Sequence, residues 1–168
     1  MLKMPSWVTQ RRKDVPPAGP MEDRPDGVRG MMVTNDKAYR ILITDDDNRC
    51  REALRDIMAP EGYEMLEASC GEEAVDIVRG GVEVHLVLLD MHMPTLTGLE
   101  TLHLVRQINA LLPAILVTAD ASESLMRQAI QSRVYSVIPK PINKNVVLYT
   151  VIRALTKFYG RLTGPGEG

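Results

Sequence analysis

The stretch VHLVLLD, residues 84–90, is apolar at almost every position and ends in an aspartate. A strand with one wet face alternates apolar and polar residues, whereas a strand covered by helices on both faces is apolar throughout. The run therefore predicts a central parallel strand. Working outward, YRILIT (39–44) and AILVTA (114–119) are two more buried strands, YEMLEA (63–68) has strand composition, and YSVI (135–138) is the last strand. Between them the period changes to that of a helix. Cys50, Leu54, Ile57 and Met58 recur at helical spacing until Pro60 and Gly62, and GEEAVDIVR (71–79) makes a short helix closed by Gly80 and Gly81. Leu99, Leu102, Val105 and Ile108 form a third stripe. Asp120 with Glu123 reads as a capping box opening a fourth helix through Ile130, and Val147, Val151 and Leu155 mark the inner face of the fifth. Five βα units in succession imply an α/β fold, a doubly wound parallel sheet with right-handed crossovers and helices on both faces.

Length and composition narrow the function. The 168 residues suit one domain with spare length, and 45% hydrophobic content supplies one sizeable core. A formal net charge of −2 and a pI near 5.9 lack the basic footprint of nucleic-acid binders, so no direct nucleic-acid partner is expected. Cys50 and Cys70 lie in different elements without metal-ligand spacing and read as free thiols in a reducing compartment. With no apolar run near the roughly 20 residues that span a bilayer, no membrane partner is expected and the location is read as cytoplasmic. Residues 1–37, rich in proline and glycine, read as a disordered extension in which Trp7 and Val8 are the one candidate peptide ligand; residues 38–160 form the domain, and 161–168 a flexible tail.

In doubly wound sheets, ligands bind outside the carboxyl ends of the strands. The first strand ends at Asp45 and Asp46, the third at Asp90, the fourth at Thr118 and the fifth at Lys140. Three carboxylates, a hydroxyl and an ammonium thus converge on one edge. Adjacent aspartates near an interior ionise reluctantly unless a cation compensates them, and oxygen ligands of this kind suit magnesium.

The segments ILITDDDN, LVLLDMHMPTLTGLE, ILVTA and IPKPI, in that order across residues 39–159, resemble the receiver domains of two-component response regulators. The resemblance implies a flavodoxin-like strand order of 2-1-3-4-5, like that of the chemotaxis receivers. It implies Asp90 as phosphoacceptor, Asp45, Asp46, Asp90 and the backbone carbonyl of His92 as holders of Mg2+, and Thr118 and Lys140 as ligands of the phosphoryl oxygens. Pro94 and Gly98 match the family's loop after the phosphoacceptor, and Lys140-Pro141 matches a bond that is cis in the family. The implied partners are a histidine kinase or histidine phosphotransfer protein and an unidentified output protein, engaged through the face built from the last two βα units. The chain is read as a stand-alone signalling receiver rather than an enzyme, one that assists its own phosphorylation and dephosphorylation.

Other readings fit less well. Asp45 and Asp47 have the Asp-x-Asp spacing of haloacid-dehalogenase-type phosphatases, but Arg49 stands where that family has threonine or valine. A calcium loop lacks its glycine and terminal glutamate, and no glycine-rich loop follows the first strand as nucleotide binding would need. A pseudo-receiver binding its partner without phosphate, and a phosphate sink without an output partner, remain as alternatives. Three departures from the family pattern touch signalling. Val137 occupies the place of a switching aromatic, with Tyr135 expected on the same face by strand alternation. Arg133-Val134 replaces a common Gly-Ala, and Ile142 a common phenylalanine. His92 lies where the family controls water access to the phosphoryl group, whereas His85 and His103 read as structural.

Overall fold

The structure, a computed structural model, describes residues 38–160. The expected extension with its Trp7 segment, and the tail 161–168, lie outside the described residues. Five parallel strands, β1 (Arg40–Thr44), β2 (Glu64–Ala68), β3 (Leu86–Asp90), β4 (Ala114–Thr118) and β5 (Ser136–Pro139), form one sheet in the order β2-β1-β3-β4-β5. The central β3 and β4 are buried at every position, as their uniform apolarity requires. Ile43 stands beside Leu88 and Asp90 beside Val117, so the strands finish almost level and their polar terminal residues share one edge.

Five helices cover the two faces: α1 (Asn48–Met58), α2 (Gly71–Arg79), α3 (Gly98–Ile108), α4 (Glu123–Gln131) and α5 (Lys144–Tyr159). Ile41, Ile43, Leu86, Leu88, Ile115, Val117 and Ile138 pack against Cys50, Leu54 and Met58 of α1 and Val147, Val151, Ala154 and Leu155 of α5. The alternate strand residues, Leu42, Val87, Leu89 and Leu116, are equally buried on the opposite face. There α2 and α3 approach so closely that a Cβ on Gly71 would sit 2.2 Å from Thr101 Oγ1 and 2.8 Å from Leu96 Cβ. Only glycine fits at that crossing.

Three local expectations are corrected. The α4 cap is Ser122, whose hydroxyl accepts from Leu125 N, while Asp120 Oδ1 accepts from Ser122 N one step outside the helix. A capping box of the expected kind opens α3 instead, with Thr97 and Glu100 bonded reciprocally. Along α3 the buried line runs through Gly98, Thr101, Leu102 and Val105, leaving Leu99 half-buried and Ile108 exposed, because the line follows the close contact with Gly71. Finally, Tyr135 precedes β5, so the two-residue alternation does not reach it. Its ring packs with the Ile138 cluster and Phe158 of α5, on the face opposite Val137. His85 is structural as read: its Nδ1 accepts from Arg40 N at 2.9 Å and its carbonyl from Tyr159 Oη at 2.7 Å.

Candidate functional site

The three consecutive aspartates have three different environments. Asp45 is 1% exposed; its Oδ1 accepts from Asp47 N at 2.8 Å and its Oδ2 from Lys140 Nζ at 3.0 Å. Asp46, the next residue, is exposed. Asp47 is the N-cap of α1, accepting from Arg49 N at 2.9 Å, so its charge serves the helix terminus. Oxygens of Asp45, Asp46 and Asp90 all lie within 4.8 Å of one another. A set of hard oxygen donors at that spacing, part buried and part open to water, fits a small divalent cation that keeps some of its waters.

Lys140 binds the cluster from the β5 side, with Nζ 3.0 Å from Asp45 Oδ2 and 3.4 Å from Asp90 Oδ1. Its backbone N–H donates to the Thr118 carbonyl at 2.8 Å, and the Lys140-Pro141 bond is cis, as the resemblance implies. Burial alone would lower the Lys140 pKa, but the hydrogen bond and charge of Asp45, with the charge of Asp90, outweigh it and raise the pKa. The Asp90 carboxyl is pushed above the usual carboxylate range, first by burial and next by the Asp45 charge, with Lys140 opposing both. One ammonium thus only partly compensates the carboxylates around it, which leaves the cluster an affinity for further positive charge.

The loop after Asp90 is drawn tight around that residue. Gly98 N donates to Met91 O at 3.0 Å, and a Cβ at Gly98 would lie 2.5 Å from the Asp90 carbonyl oxygen. Thr95 takes a φ of 70° in the same loop and Met93 is buried beneath it. His92 N donates to Asp90 Oδ1 at a long 3.4 Å, while its exposed ring stands 3.6 Å from Asp120 Oδ2. Thr118 is fully buried, and its hydroxyl accepts from Asp120 N at 3.1 Å, which leaves the hydroxyl proton to donate. Asp45, Asp46, Asp90 and Lys140 are therefore brought into one cluster. Thr118 stands at the next strand end and His92 at the rim, its backbone N–H bonded to Asp90.

Two residues at the site escaped sequence reasoning. Arg51 Nη1 donates to the Asp45 carbonyl at 2.6 Å and Nη2 to Asn48 Oδ1 at 3.0 Å, with Glu67 of β2 behind it at 4.0 Å. It clamps the acidic turn from behind, and no motif announces it. Asp120 donates its backbone N–H to the Thr118 hydroxyl and sets its carboxylate beside the His92 ring, a pairing visible only once two strand ends are adjacent. Cys50, in the first turn of α1, has its thiol pushed up to about 12 by burial and by a hydrogen bond to Asp45, which makes it a protonated, unreactive neighbour of the cluster.

Comparison with known proteins identifies the family. The chain is 32% identical over 118 residues to the transcriptional regulatory protein CpxR of Escherichia coli, covering 70% of this chain and 49% of that one. It is 33% identical over 119 residues to the chemotaxis protein CheY of Bacillus subtilis, covering 70% and 98%. The chain thus spans about half the length of the CpxR relative and nearly all of the chemotaxis protein. Among solved structures, a CheY-like receiver domain protein from Methanospirillum hungatei superposes with a TM-score of 0.69 at 26% identity, covering 73% of this chain and 98% of that one. CheY in the CheX–CheY–BeF3–magnesium complex of Borrelia burgdorferi superposes with a TM-score of 0.64 at 26% identity, covering 68% and 87%. The family model of the response regulator receiver domain matches residues 41–152, and the chain belongs to that family.

Proposed function

We propose that this receiver accepts a phosphoryl group on Asp90 from a histidine kinase or histidine phosphotransfer protein in the cytoplasm, and that the modification changes its affinity for an output protein. The observation that carries the reading is the Asp45–Asp46–Asp90 cluster, with Lys140 joined to two of its members. Asp90 attacks phosphorus with one carboxylate oxygen; the O–P bond forms as the N–P bond to the donor histidine breaks. Lys140 offsets charge on the equatorial oxygens, and the Thr118 hydroxyl donates its proton to one of them. Asp45, Asp46, Asp90 and the His92 carbonyl would hold magnesium, which when bound supplies further neutralisation of phosphoryl charge. Arg51 keeps Asp45 in place from behind.

Drawing Thr118 toward a phosphorylated Asp90 would loosen its bond with Asp120 N and shift the β4–α4 loop, altering the surface of the last two βα units. Reduction with borohydride after treatment with acetyl phosphate and magnesium tests the assignment, because an aspartyl phosphate becomes homoserine and marks its own position. Homoserine at residue 90 is the expected result. Homoserine at another aspartate would overturn the assignment, and none under conditions that label an established receiver would favour phosphate-independent binding.

A further inference from the structure

Arg106, near the end of α3, reaches across to the end of α4. Its Nε donates to the Leu112 carbonyl at 3.3 Å, its Nη1 to the Ser132 carbonyl and its Nη2 to the Arg133 carbonyl at 2.9 Å. A guanidinium keeps donors to spare after these bonds. Arg133 closes α4 with a φ of 53°, the left-handed conformation that favours glycine, and it stands in the place of a common Gly. Neither arginine takes part in an ion pair among the described residues. From Thr101 to Ala119 and from Ser124 to Gly160 the chain has no aspartate or glutamate to supply one. Burial first, and the charge of Arg133 second, pull the Arg106 guanidinium below its usual pKa. The turn thus combines backbone strain with like charges, and a bound anion would offset the repulsion.

The pair stands at the foot of a groove between α3 and α4. Ser132, whose carbonyl holds Arg106 Nη1, lines that groove, with Gln128 and Gln131 on the same wall. The opposite wall is Leu99, His103 and Leu104 of α3. Both helices run away from the carboxyl ends of the strands, so Leu96 and Glu100 fall at the upper end, and Glu100 Oε2 accepts there from Thr97 N at 3.0 Å. Charge along the groove therefore passes from a carboxylate at the top, through leucines and neutral amides, to two arginines at the foot. The volume is about 450 Å³, in the range of small-ligand sites. Eight residues line it, whereas a stable protein interface takes roughly 20–30 a side, so the groove suits a small molecule better than a protein.

We infer that the α3–α4 groove binds a small apolar carboxylate, its chain along Leu96, Leu99 and Leu104 and its acid group at Arg106 and Arg133. A carboxylate offers two oxygens to a planar guanidinium, and the exposed Arg133 side chain has the freedom to close on it. Glu100 at the other end sets the direction of binding, because it repels the acid group and not the chain. An alcohol of the same length would leave the two arginines uncompensated, and a short acid would leave the leucine wall unused. None of Asp45, Asp46 and Asp90 lines the groove, so its occupancy does not depend on the phosphoacceptor chemistry.

The test titrates the full chain with octanoate, decanoate, 1-octanol and acetate and follows the backbone amides by NMR. Octanoate should shift the amides of residues 99–104 and 128–134 and bind at least about fivefold more tightly than octanol or acetate, with an advantage that shrinks as salt rises. Decanoate should bind more tightly still, by roughly two- to fourfold for each added methylene. R133G removes a charge and the left-handed strain together, so it should weaken octanoate by about fivefold while raising the melting temperature by about 2–4 °C. An arginine with only a structural role would move the melt and leave the affinity alone. Q128E, which sets a second carboxylate in the groove, should weaken octanoate to a similar extent, and R79E on α2 should leave it unchanged. Octanol or acetate binding as well as octanoate, shifts centred on another part of the domain, or unchanged affinity in either R133G or Q128E overturns the inference. So does the appearance of the same shifts on concentrating the protein without any acid, which would make a second copy the occupant.

Discussion

Replacing Asp90 by asparagine should stabilise the metal-free protein. At the 4.8 Å limit of the cluster and an effective dielectric of about 20, each pair of ionised carboxylates repels by roughly 3.5 kcal/mol. Lys140, 3.4 Å from Asp90, returns roughly 5 kcal/mol on the same scale. Two repulsions, that of exposed Asp46 being weakened by water, against one attraction leave Asp90 destabilising by on the order of 1–2 kcal/mol. Asparagine keeps the shape and removes the charge, so in chelator the urea midpoint of D90N should rise by about 1 M. Magnesium should stabilise the wild type more than D90N and narrow or invert the gap. The pH dependence has a definite sign. Because the folded Asp90 holds its proton more tightly than the unfolded one, its contribution favours the fold below the ordinary carboxylate pKa of about 3.9 and is lost as pH rises through the raised value. D90N should lack that component. A D90N protein less stable than wild type in chelator, or one with the same response to magnesium, would refute the electrostatic reasoning.

Further outcomes follow from the same contacts. Gly98→Ala places a Cβ 2.5 Å from the Asp90 carbonyl oxygen; denaturation should show a loss of about 2 kcal/mol or more, with slower phosphorylation by acetyl phosphate. Arg51→Gln releases the Asp45 carbonyl without touching a ligand atom, so magnesium titration followed by NMR should show weaker binding by roughly three- to tenfold while the fold persists. Cys50, with its thiol near 12 and its side chain buried, should resist a thiol reagent in the native protein at neutral pH and react once the chain is unfolded. The raised Lys140 pKa adds stability that is fully present below the ordinary lysine value and lost as pH climbs through the raised one. Thermal melts on the alkaline side should therefore fall more steeply in wild type than in Lys140→Met.

Much of this was legible in the amino-acid order, for identifiable reasons. A strand buried on both faces has to be apolar throughout, so residues 84–90 announced the middle of a parallel sheet, and the topology then carried distant polar residues to one edge. What the order of residues conceals is the division of labour between neighbours. Asp45, Asp46 and Asp47 look alike on paper, yet a rotation of one residue at the strand end separates a buried partner of Lys140 from an exposed carboxylate and a helix cap. Ser122 and Asp120 are both good caps, and the entry angle of α4 decides between them. Alternation misplaced Tyr135 because the strand begins one residue later. Arg51 was invisible because a clamp on a backbone carbonyl needs a long side chain in the right place and no motif.

The receiver chemistry itself is tested most directly by the intact mass of the protein after acetyl phosphate, with magnesium or with chelator, beside D90N. A single phosphoryl addition that requires magnesium and is absent from D90N is the expected result. An unmodified mass under conditions that phosphorylate an established receiver, or an equal addition to D90N, would contradict the assignment of Asp90 as the phosphoacceptor.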